Sequence, residues 1–136
     1  MIVLDCSVVI AWSFEEVGSS YAEWVMAQIN VEGAVVPSLW PIEVGNVLIM
    51  AERRRQIYEE QTVTILENLA TLPLQVEAGF SLADFPLIGM LAREYKLTAY
   101  DATYLELAMR TGSSLATLDK ALIRAAHKAN VTVLEE

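Results

Sequence analysis

Four acidic residues occupy positions suited to phosphoryl chemistry. Asp5 closes the apolar run Ile2-Val3-Leu4, and Glu43 interrupts the apolar face of a helix predicted over 39–54. Asp101 opens a further helical pattern, and Asp119 ends the run Leu115-Ala116-Thr117-Leu118. Three of these positions are strand ends or helix starts, where an open α/β sheet places its ligand crevice. Carboxylates gathered in one crevice repel each other unless protons or cations neutralise them. Mg²⁺ and Mn²⁺ favour carboxylate and water oxygens. Two such ions can clamp an in-line phosphoryl displacement, one activating the attacking water and the other stabilising the leaving oxygen. The first reading is therefore a metal-dependent hydrolase that needs no His, Cys or Lys.

Each acid also has a purely structural reading. At about 100° per residue, Leu39, Trp40, Val47, Met50 and Ala51 share a helix side with Glu43, and Asn46 joins it one turn along. A Glu there is desolvated at a cost unless it is paired with an Arg, bound to metal, or reaches out at the helix edge. Asp5 is also a fair Asx-type cap, and Asp101 and Asp119 are fair helix N-caps. Asp101 aligns with Tyr104, Leu105 and Ala108, the inward face of its helix. Ser7 either orients a water at the acids or caps a helix. Thr117, two residues before Asp119 on the same side of an extended strand, has a hydroxyl available to the same water. Taken singly the capping readings suffice. Taken together they require four coincidences in one crevice. Cys6 reads as a small core residue, and the sole histidine, His127, as a surface residue.

These residues need elements to position them. The 136 residues are 54% hydrophobic, enough for one compact domain spanning 1–136. Short β-type runs at 2–4, 34–36, 74–76, 115–118 and 131–134 alternate with helical patterns near 7–13, 19–30, 39–54, 59–71, 82–95, 101–111 and 119–128. Continuous Val, Ile and Leu runs suit parallel strands buried on both faces, and the intervening stretches suit crossover helices. The expected fold is a three-layer α/β domain with a five-stranded parallel sheet and about seven helices. Ser38 is an expected N-cap with Pro41 in the first turn, Gly112 an expected helix stop, and Pro86 blurs the start of the 82–95 pattern. No apolar run reaches the roughly 20 residues of a membrane span. The start lacks a basic n-region, and one cysteine forbids an internal disulfide. The expected location is the cytoplasm.

The formal net charge of −9 is discordant with nucleic-acid binding, whose footprint is usually basic. The site acids account for part of it, and the few cations cluster. Arg53, Arg54 and Arg55 are consecutive, and Lys120, Arg124 and Lys128 repeat every four residues as one helical stripe. Solvated faces explain both patches. Contacts of Arg53, Arg54, Lys120 and Arg124 with phosphates are the functional alternative. Trp12 and Trp24, on the first two predicted helices, serve either the core or a protein interface.

The stretches Val3-Leu4-Asp5-Cys6-Ser7, Val36-Pro37-Ser38-Leu39-Trp40-Pro41-Ile42-Glu43-Val44-Gly45-Asn46, Thr98-Ala99-Tyr100-Asp101-Ala102 and Ala116-Thr117-Leu118-Asp119-Lys120-Ala121-Leu122 together resemble the PIN-domain ribonucleases. Among these the chain is most similar to the VapC-like toxins of toxin–antitoxin pairs. No single stretch is specific; the ordered set, running from end to end, is. The resemblance implies strand order 3-2-1-4-5 and Mg²⁺- or Mn²⁺-dependent endonucleolytic cleavage of RNA. It maps an acidic quartet onto Asp5, Glu43, Asp101 and Asp119, with supporting polar positions at Ser7, Asn46 and Thr117. It also implies a homodimer and a small VapB-like antitoxin that blocks the site.

Rival readings fare worse. A haloacid-dehalogenase-like phosphatase expects a second Asp where Ser7 stands. A response-regulator receiver expects paired acids after the first strand and a Lys after the last. A catalytically silent PIN-like dimerisation or binding module usually loses one or more acids, whereas all four are present here.

Overall fold

The computed structural model describes residues 1–136. Its strands are β1 (Ile2–Leu4), β2 (Ala34–Val36), β3 (Leu74–Val76) and β4 (Ser114–Ala116). They form one sheet in the order β3-β2-β1-β4, and every pairing is parallel. Parallel neighbours need crossovers. Helices α1 (Cys6–Phe14) and α2 (Ser19–Glu32) connect β1 to β2, and α3 (Trp40–Arg53) and α4 (Glu59–Ala70) connect β2 to β3. A 3₁₀ turn (Leu82–Asp84), α5 (Phe85–Tyr95) and α6 (Ala99–Thr111) connect β3 to β4, and α7 (Lys120–Lys128) follows β4. All four C-terminal strand ends therefore share one edge of the sheet.

The three residues of β1 and both Ala34 and Val36 of β2 are fully buried, as expected for strands covered on both faces. Tyr104, Leu105 and Leu107 of α6, Val25 and Ile29 of α2, and Leu122 of α7 close over them. Leu115 at the centre of β4 is 0% exposed, so Leu115→Ala should cost about 3 kcal/mol in a denaturant titration. A loss below 1 kcal/mol would mean that the cavity collapses or that this packing is misassigned.

Several expectations need correction. There is no fifth strand. Residues 131–134 meet β4 only through a bridge between Leu115 and Val133. The hydrogen bonds are Leu115 N to Thr132 O and Leu134 N to Leu115 O, so one residue of β4 makes both and no ladder extends. The Leu134 carbonyl accepts from the Tyr21 hydroxyl at 2.6 Å, which anchors the segment from a helix. The sheet is thus four-stranded, 3-2-1-4. Strand β3 is an edge, with Gln75 and Val76 exposed, so its run is not buried on both faces.

The 82–95 pattern divides into the 3₁₀ turn and α5, with Pro86 in the first turn of α5, where its missing N–H is tolerated. Ser38 does not cap α3; the N-cap is Leu39 and no side chain caps it. Helix α6 starts two residues before Asp101, capped by Thr98, whose Oγ1 accepts from the Asp101 N–H at 3.1 Å. Gly112 does stop α6, in the left-handed conformation at φ 63° that glycine adopts without strain.

Candidate active site

Asp5 leaves β1 and sits at the N-cap position of α1, yet it makes no side-chain cap. Its Oδ2 instead accepts from Ser7 Oγ at 2.6 Å and Thr117 Oγ1 at 2.8 Å. Those hydroxyls accept in turn from the Leu118 and Asp119 N–H groups, at 2.9 and 3.0 Å. Asp5 is 5% exposed. Burial raises its pKa, the hydroxyl bonds oppose the rise, and the charge of Asp119 adds to it. Because the Ser7 and Thr117 protons are both directed at Asp5, these residues fix that carboxylate and tie the end of β1 to the end of β4.

Glu43 lies in the first turn of α3, at the border of a buried face made by Trp40, Val44, Leu48 and Ala51. The wheel expectation placed it nearer the middle of that face. The Tyr104 hydroxyl donates to Glu43 Oε1. Burial raises the Glu43 pKa, with the Tyr104 bond opposing and the charge of Asp5 adding. Burial pushes the Tyr104 phenol far above its ordinary range, so it stays a donor. A buried tyrosine usually finds a partner for its hydroxyl, but nothing in the sequence names Glu43 as that partner. Tyr104→Phe leaves Glu43 without its donor and should lower stability by roughly 1–2 kcal/mol in urea titration. An unchanged midpoint would show that water replaces the phenol at no cost.

Asp101 is half-buried in the first turn of α6. Its pKa is pushed up to about 6, first by burial and then by the charges of Asp119, Asp5 and Glu43. Asp119 is the N-cap of α7, and its Oδ1 accepts from Ala121 and Leu122 N–H at 2.8 and 3.1 Å. The capping reading is correct for Asp119, but it engages Oδ1 alone. For Asp101 that reading fails, since Thr98 holds the cap.

The four acids thus share one electrostatic neighbourhood, and none forms an ion pair. The ion pairs of the chain join Arg110 to Glu77 and Glu106. What compensates the acids is backbone. Asp5 and Asp119 stand at the N-cap positions of α1 and α7, and Glu43 and Asp101 in the first turns of α3 and α6. Helix N-termini carry partial positive charge. No three His, Cys, Asp or Glu side chains are drawn closely enough to cage one ion. An all-oxygen, unpaired carboxylate set still fits Mg²⁺ or Mn²⁺, because Mg²⁺ keeps several waters and takes one or two carboxylates at a time.

Other expected residues fall elsewhere. Asn46 is exposed and lines a separate hollow with Glu16 and Arg54. Arg53 and Arg54 are exposed at the far end of α3, roughly 15 Å along the axis from Glu43 at 1.5 Å per residue. Lys120, Arg124 and Lys128 form an exposed stripe on α7, which begins at Asp119. His127 is exposed. Cys6 is buried, its thiol pushed up to about 12 by burial and the nearby Glu43 and Asp5 charges, so it is no nucleophile. Trp12 and Trp24 are half-buried against the core. No helix is long and apolar enough to cross a membrane.

Comparison with known proteins agrees with this fold. A family model described as PIN domain matches residues 2–128. The fold is similar to that of PAE2754 from Pyrobaculum aerophilum, at 23% identity and TM-score 0.68, covering 91% of this chain and 84% of that one. It is also similar to FitAcB from Neisseria gonorrhoeae, at 16% identity and TM-score 0.65, covering 99% of this chain and 97% of that one. No curated protein sequence matches.

Proposed function

Because the chain belongs to the PIN-domain family, we propose that it is a metal-dependent endoribonuclease and the toxin of a VapBC-type toxin–antitoxin pair. PIN domains are in general nucleases that use divalent metals. The observation that carries the reading is the set of four carboxylates without a paired cation, each at a helix N-terminus and with the buried Asp5 at its centre. Nothing in the chain neutralises them in full, and a divalent cation would.

Asp5, Glu43, Asp101 and Asp119 would hold Mg²⁺ or Mn²⁺, which when bound activates water and stabilises charge on the phosphate. Ser7 and Thr117 keep Asp5 in one orientation, and Tyr104 does the same for Glu43. Water attack with the 3′ oxygen leaving gives 5′-phosphate and 3′-hydroxyl ends. Lys120 and Arg124, on the helix that starts at Asp119, are better placed for RNA phosphates than Arg53 and Arg54. A homodimer, a small VapB-like antitoxin and the cytoplasm complete the proposal. The test is digestion of total cellular RNA by purified protein with Mg²⁺ or with EDTA. Discrete fragments only with metal are expected; no cleavage of any RNA, or the same pattern in EDTA, would overturn the reading.

A further inference from the structure

A hollow of about 450 Å³, which none of the four acids lines, is formed by Ser38, Glu77, Phe80, Leu87, Thr103 and Arg110 among others. Ser38 lies just past the end of β2 and Glu77 immediately follows β3, so the hollow stands over the same sheet edge as Asp5 and Asp119. The strand order is β3-β2-β1-β4. At about 4.8 Å between strands, the midpoint of β2 and β3 lies roughly 7 Å from β1 along that edge, an offset suited to a base next to a phosphate held at Asp5. Thr103 and Arg110 come from α6, on the side of that helix turned away from Asp101.

The wall has a specific chemistry. Arg110 Nε donates to Glu106 Oε1 at 2.7 Å, Nη2 to Glu106 Oε2 at 3.4 Å, and Nη1 to Glu77 Oε1 at 2.9 Å. These bonds fix the guanidinium plane and leave two of its five N–H donors without a protein partner. Carboxylate acceptors flank it. Phe80, 49% exposed, offers an aromatic face. The anionic rim of Glu77, Asp84 and Glu106 repels phosphate, and Arg110 repels a second cation. The occupant that satisfies donors, acceptors and a ring together is a neutral heteroaromatic. Guanine presents two acceptors, O6 and N7, to an Arg, and its N1–H and N2–H edge to a carboxylate.

We propose that this hollow is a nucleobase pocket for the purine flanking the scissile phosphate, guanine before adenine. The inference rests on the nuclease reading for its place in the reaction. Phe80 stacks on the base and Arg110 reads its edge, a mode by which single-stranded RNA is recognised.

The test is direct titration of the full-length protein, in Mg²⁺ so that the phosphate meets a neutralised crevice, with the four nucleoside 5′-monophosphates and with arginine amide, followed by NMR at Phe80 and Thr103. Saturable shifts at both residues with 5′-GMP, a weaker response to pyrimidines and none to arginine amide are expected. Phe80→Ala should weaken 5′-GMP binding roughly tenfold through lost stacking, and Phe80→Tyr should restore it. Tighter binding of arginine amide, or nucleotide shifts only around the acids and Lys120, would overturn the pocket. RNA cleavage by the wild type is scored apart. Cleavage without a Phe80 response removes the pocket and leaves the nuclease, whereas 5′-GMP binding at Phe80 without cleavage of any RNA removes the nuclease.

Discussion

Asp5→Asn is expected to reduce metal-dependent RNA cleavage by about 10³-fold or more, equivalent to roughly 4 kcal/mol of transition-state stabilisation. The substitution keeps the size of the side chain and both neighbours, Ser7 and Thr117. It removes the one charge of the quartet that is almost fully buried. A metal-dependent phosphoryl transfer depends on charge held where charge develops, so the loss should fall on kcat rather than on KM. Glu43→Gln and Asp101→Asn should behave alike, each deleting one proposed oxygen ligand in the same neighbourhood. The measurement is single-turnover cleavage of one RNA at saturating Mg²⁺, with thermal unfolding of each variant to show that the fold survives. Equal rates for wild type and all three variants would end the nuclease proposal. Loss in Asp5→Asn alone would confine the chemistry to the Asp5–Thr117 end of the crevice.

What the sequence displayed was local. The runs Ile2–Leu4 and Leu115–Leu118 each end near an acid because a buried parallel strand is continuously apolar and its exit must be polar. The strand that failed to form is instructive. Val131–Leu134 is valine-rich like β2, but pairing depends on what lies alongside, and only Leu115 meets it. Long-range pairs stayed invisible for a related reason. Tyr104 and Glu43 lie 61 positions apart, and Thr117 reaches Asp5 across 112. A helical wheel identifies the inward face of α6 without naming what stands opposite. The same limit explains Asn46, which shares a side with Glu43 on an ideal wheel but falls beyond the buried face set by Trp40, Val44 and Leu48. In the Arg110 cluster, Glu106 is legible as an i,i+4 partner, whereas Glu77 arrives only because β3 ends beside α6.

Without divalent metal, Asp101→Asn should make the protein more stable near pH 7, and the gain should vanish on acidification. The folded-state pKa of Asp101 is about 6, raised from 3.8. Between those values the folded protein binds this proton more tightly than the unfolded chain does, so unfolding free energy falls as pH rises through the window and is level above it. Wild type therefore carries a penalty at pH 7 that is absent below pH 4. The full shift corresponds to roughly 3 kcal/mol, but the carboxylate is half-buried and solvent screening reduces the expected difference to about 1 kcal/mol. Asn has no such charge to relieve. The readout is the difference in urea midpoint between wild type and variant at pH 4, 5, 6 and 7 in EDTA, in which contributions common to both proteins cancel. Adding Mg²⁺ at 100 times its Kd should stabilise wild type by about 2.7 kcal/mol and the variant by less, because one ligand is gone. A difference that is flat across pH 4–7 would mean that neither burial nor its neighbours raise the Asp101 pKa. A difference that tracks pH while Mg²⁺ stabilises both proteins equally would mean that the raised pKa is real but that Asp101 does not bind the cation. The two halves of the experiment thus separate the electrostatics of the crevice from its use as a metal site.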